Sequence, residues 1–127
     1  MDVLIVVPAV LLIVAFILFT RGPVVQINGD SYFDTSKRSL LVLQKLRTDI
    51  SNMVRGHALA ERRFNGMIMG DLPSTSTDLA FVRVWTKEFR IRTDLNYKTL
   101  LYIARHEVGH LKTPNWLSHG SKFRQNV

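Results

Sequence analysis

The chain divides by the rhythm of its apolar positions. Val3 to Phe19 is an unbroken apolar run, VLIVVPAVLLIVAFILF, with no charge or hydroxyl. Crossing a bilayer core of roughly 30 Å takes about 17–25 such residues, so the run predicts a transmembrane helix that can tolerate Pro8. A cleaved signal would carry a basic leader and a small-x-small exit. Here the leader contains Asp2 and the exit reads Phe19-Thr20-Arg21-Gly22, which favours a retained anchor. Positive charge follows the run at Arg21, Lys37 and Arg38 and none precedes it, which places the C-terminal domain on the cytoplasmic side.

Beyond Gly22-Pro23 the pattern becomes periodic. Leu43, Leu46, Ile50 and Met53 recur on one helical stripe, with Lys45, Arg47 and Asp49 largely off it. Asp34, Thr35 and Ser36 are candidate caps for this helix. Gly56 can weaken or end it, and ALAERRF could prolong it. Gly66, Gly70 and Pro73 with STSTD predict a loop. LAFVRVW and KEFRIRT then read as strands, the second with Phe89 and Ile91 on one face and Arg90 and Arg92 on the other. A poor tight-turn pair, Thr86-Lys87, leaves open whether they form a hairpin or one long or bulged strand. YKTLLYIARHEVGHLK predicts a helix over Tyr97–Lys112, capped by Asp94 or Asn96 and stopped by Pro114. Helix, strands and helix in this order give an α+β fold. The expected division is an anchor at 1–21, a linker at 22–36 and a domain at 37–127.

Composition narrows the chemistry. Without cysteine, a metal site must use nitrogen and oxygen ligands. The formal net charge of +7, from 17 basic and 10 acidic side chains, suits an anionic membrane face or nucleic acid. The basic residues are scattered and form no nucleic-acid module, so a nucleic-acid partner is not favoured.

Three of the four histidines fall in HEVGHLKTPNWLSHG. His106 and His110 are four apart, so on a helix both imidazoles project from one face, the spacing that zinc requires of two ligands on a rigid element. Glu107 is rotated by about 100° from His106. It can reach an attacking water without being a ligand, as a general base must. Leu100, Ala104, Val108 and Leu111 form the apolar stripe of the same helix, and the histidines lie away from it, facing a cleft or solvent. His119, after the turn at Pro114-Asn115, is the third candidate ligand, and Phe123 could pack a short closing helix beneath it. A fourth position left to water is what catalytic zinc needs. His57 reads as a surface residue or a support behind the site. For Tyr102, packing is favoured over donation to an oxyanion, and for Asp94 a helix cap is favoured over pairing with a ligand histidine.

HEVGHLKTPNWLSHGSKF resembles the HExxH…H(G/S)xxF signature of minimal zincin-like metallopeptidases of the WLM and SprT-like type. DLNYKTLLYIARHEVGH is similar to the lead-in of small membrane-anchored WLM-like proteins of large DNA viruses. The resemblance spans roughly residues 31–125 and is strongest over 89–123. It implies a small zincin-like domain behind the transmembrane helix, with helix, short strands, HExxH helix and a short closing helix or turn. It further implies Zn2+ on His106, His110 and His119, Glu107 as general base or acid, and a protein or peptide substrate. The strand around Phe89–Arg92 would then form the cleft's edge. The bilayer would be met through residues 3–19, in a host or virion membrane if the chain is viral. The alternative is a non-enzymatic membrane protein that keeps a zincin-like fold.

Overall fold

The computed structural model describes residues 22–114. These form five strands and three helices: β1 (Val24–Ile27), β2 (Asp30–Phe33), α1 (Lys37–Val54), α2 (Ala58–Phe64), β3 (Ile68–Asp71), β4 (Ala80–Arg83), β5 (Glu88–Ile91) and α3 (Tyr97–Lys112). The strands make one mixed sheet in the order β1-β2-β3-β5-β4. β2, β3 and β5 run parallel to one another, and β1 and β4 close the two sides antiparallel.

β1 and β2 are joined by Asn28-Gly29, both at positive φ (52° and 83°). That conformation is the type I′ turn, whose twist matches the paired strands. Ser36 caps α1, its side chain accepting from the Ser39 amide. Leu43, Leu46 and Ile50 bury one face of α1 completely. Gly56, at φ 83°, ends the helix, and α2 starts afresh one residue later with His57 as its cap.

The core lies between the helices and one sheet face. Tyr32, Met69, Phe89 and Ile91 point into it from the strands, and Leu100, Ala104, Val108 and Leu111 meet them from α3. Each large aliphatic side chain so buried contributes about 1.5–3 kcal/mol. This packing turns the opposite face of α3 away from the core.

Two polar devices lock the layers. Arg47 is buried, donating to the carbonyls of Ser31 (3.0 Å) and Met67 (2.7 Å) and lying over the rings of Tyr32 and Phe64. It thereby fastens α1 to β2 and to the entry of β3. Asp71 accepts from the Thr93 amide and hydroxyl and from the Ser39 hydroxyl, tying the ends of β3 and β5 to the first turn of α1.

Several expectations are corrected. The fold class inferred from sequence, a transmembrane helix ahead of a zincin-like domain with a few short strands, gives way to a small α+β domain built on a mixed five-stranded sheet with three helices. Among the described residues no helix is long and apolar enough to cross a membrane. Residues 3–19, assigned to the bilayer, lie outside the described residues, as do the expected closing helix or turn and His119.

The segment 22–36 is no linker, since its hairpin pairs with β3 and puts Tyr32 into the core. The expected loop around Gly70 contains the central strand β3. An added Cβ at Gly70 would come within 2.6 Å of the Phe33 ring, so glycine here serves a close approach and does not break the strand. Arg47, expected off the buried stripe, is inside. β4 and β5 do form a hairpin, turning through residues 84–87 with Lys87 at φ 57°.

Candidate active site

α3 spans Tyr97–Lys112 as its pattern predicts, with Asn96 as cap and its side chain accepting from the Thr99 amide. Asp94 is not the cap: it pairs with Arg92 at 2.6 Å, and that guanidinium holds its carboxyl below the usual range. The Tyr97 hydroxyl donates to Asp49, and Lys45 lies over its ring, so the first turn of α3 is fixed to α1.

His106 and His110 project from one side of α3, half-buried, with ring centroids 5.3 Å apart in an edge-to-face arrangement. Between them in sequence, Glu107 is only 8% exposed. All three line a cleft of about 600 Å³, whose other wall is β4 with the turn to Thr86 and whose end is closed by Thr113 and Pro114.

Burial pushes the Glu107 carboxyl up to about 7 from its ordinary 4.5. Among the described residues it has no hydrogen-bond or ion-pair partner, although a buried carboxylate is costly unless something satisfies it. A carboxylate so placed is suited to meet what enters the cleft.

Two imidazoles on one helix face beside that carboxylate fit the nitrogen and oxygen chemistry of zinc. No group of three potential metal ligands occurs among the described residues. The third expected ligand, His119, lies outside them. The remaining sequence candidates are elsewhere. His57 serves α2, its Nδ1 accepting from the Ala60 amide. Tyr102 is 76% exposed, so it neither packs in the core nor lines the cleft.

The strand beside the helix is β4, not the Phe89–Arg92 strand that the resemblance implied. β5 is sandwiched between β3 and β4, and β4 is the edge strand on this side of the sheet. Its pairing fixes which main-chain groups are available. The Leu79 carbonyl accepts from the Arg92 amide, so Leu79, Phe81 and Arg83 direct their polar groups at β5. Ala80 and Val82 therefore direct their N–H and C=O groups outward. Their side chains meanwhile pack on the core, on the same face as Ile91 and Phe89.

Sequence reasoning found LAFVRVW as a strand but could not rank it as the edge, because strand order is a tertiary property. It also missed Arg63, whose Nη1 donates to the carbonyls of His110 (3.2 Å), Leu111 (3.3 Å) and Thr113 (2.8 Å) and satisfies the end of α3. No local signal in ALAERRF announces that role. Comparison with protein-family profiles, characterised proteins and solved structures found no match.

Proposed function

We propose that this chain is a zinc-dependent peptidase, with His106, His110 and His119 as ligands and Glu107 as general base. The observation carrying the reading is the buried Glu107 carboxylate, unpartnered among the described residues, opening beside two imidazoles into a cleft whose far wall is an edge strand. Zinc, when bound, would supply Lewis-acid polarisation of the scissile carbonyl and the attacking water. Glu107 takes the proton of that water and returns it to the leaving amine. The outward N–H and C=O groups of Ala80 and Val82 pair with an extended substrate backbone and hold it along α3.

The full-length chain should retain about one zinc per molecule after dialysis. Glu107→Gln should keep the metal and abolish hydrolysis of a peptide library, and His119→Ala should release the metal. A wild-type chain that carries zinc yet cleaves no more than Glu107→Gln would mean that the metal serves the fold alone. Unchanged zinc content in His119→Ala would remove that residue from the ligand set.

A further inference from the structure

Trp85 sits in the turn between β4 and β5 and lines the cleft, yet it is 93% exposed. Tryptophan is highly buried on average and offers about 150–250 Å² of contact surface. Neither the turn nor the core uses this ring: among the described residues it makes no hydrogen bond and no ring contact, and the turn is held by Lys87 and Val84 through their main chain.

The surroundings limit what could cover it. Ala80, Val82 and Val84 give the adjoining wall an apolar lining. Arg83, the charged side chain of β4, is engaged by Glu88 at 3.5 Å and by the Phe81 ring at 4.5 Å. The side chains of β4 nearest Trp85 on this wall are thus apolar apart from Arg83, whose charge is shared with Glu88. The main-chain groups of Ala80 and Val82 select an extended backbone, and Trp85 follows Val82 by three residues. A strand paired with β4 would run past Val82 toward the turn that carries Trp85, which also lines the cleft.

We propose that Trp85 is the cleft's specificity-determining residue, selecting extended peptides that place an aromatic or large aliphatic side chain beside the β4–β5 turn. This rests on the peptidase reading for its biological meaning, but its test needs no hydrolysis. Labelled, end-blocked peptides of serine, alanine and glycine would carry Phe, Leu, Lys or Glu at one varied position. They would be titrated into the full-length Glu107→Gln chain with fluorescence anisotropy as readout. The Phe and Leu peptides should bind about tenfold more tightly than the Lys and Glu peptides, a difference of about 1.4 kcal/mol. In Trp85→Ala that preference should fall below about threefold, and Trp85→Phe should restore most of it.

Equal binding of all four peptides, or an apolar preference that Trp85→Ala leaves intact, would overturn the assignment. So would a Trp85-dependent partition onto phosphatidylcholine–phosphatidylserine vesicles, or a Trp85-dependent dimer in sedimentation, without peptide selectivity. Selective binding by a chain that hydrolyses nothing would refute the peptidase reading and leave the specificity assignment standing. Hydrolysis without a Trp85-dependent preference would do the reverse.

Discussion

Replacing Glu107 by glutamine in the metal-free protein isolates the cost of burying that carboxylate. Folded, it titrates near 7 because of desolvation, against 4.5 for the ordinary group. Between those values the folded chain binds more protons than the unfolded chain, so stability falls as pH rises. The contribution is fully present below the unfolded value and is lost as pH climbs through the folded one. The gap corresponds to about 3 kcal/mol, of which about 2.5 kcal/mol falls between pH 5 and pH 8. Urea unfolding with EDTA present, followed by far-ultraviolet circular dichroism, measures this directly. The informative quantity is the difference between wild type and Glu107→Gln. Glutamine should raise stability by about 1 kcal/mol at pH 5 and by about 3 kcal/mol at pH 8 relative to wild type. Parallel pH profiles for the two proteins would refute the argument that the carboxylate is buried without a partner.

Other perturbations test separate parts of the structure. Ala80→Pro removes an outward N–H at the first residue of an edge strand without touching the β5 ladder, so folding should survive while KM for peptide substrates rises several-fold. Arg47→Met should lower unfolding free energy by about 2–4 kcal/mol in urea, because it strands the carbonyls of Ser31 and Met67. Gly70→Ala should cost about 1–3 kcal/mol in the same assay, since its Cβ must displace the Phe33 ring. Loss of zinc from the wild-type chain on adding EDTA, with activity restored by zinc and not by magnesium, would follow from imidazole ligation.

What could be read from the sequence depended on how local the determining physics is. α3 was legible in most respects: its apolar stripe, the stop at Pro114 and the two histidines on the face away from the core follow from its pattern, whereas the choice between Asp94 and Asn96 as cap needed the fold. The β1–β2 hairpin carried the strong Asn28-Gly29 turn signal, but its strands are four residues each, too short for alternation to outweigh the look of a linker. β3 was hidden because Gly70 reads as a breaker until the Phe33 ring is seen against it. Arg47 looked like a solvated charge, and only the fold reveals the two carbonyls and two rings around it. The same limit applied to the site. The histidine and glutamate pattern was visible, whereas the identity of the strand opposite it required the strand order.

Lys87 donates through Nζ to the carbonyls of Arg62 (3.1 Å), Arg63 (2.8 Å) and Asn65 (3.0 Å), while the Arg63 guanidinium holds the last turn of α3. Both jaws of the groove are thus bolted, at the same end, to one seven-residue helix. The gap there is set by the thickness of that spacer, so a change in the packing of α2 would reach the β4–β5 turn and the last turn of α3 together.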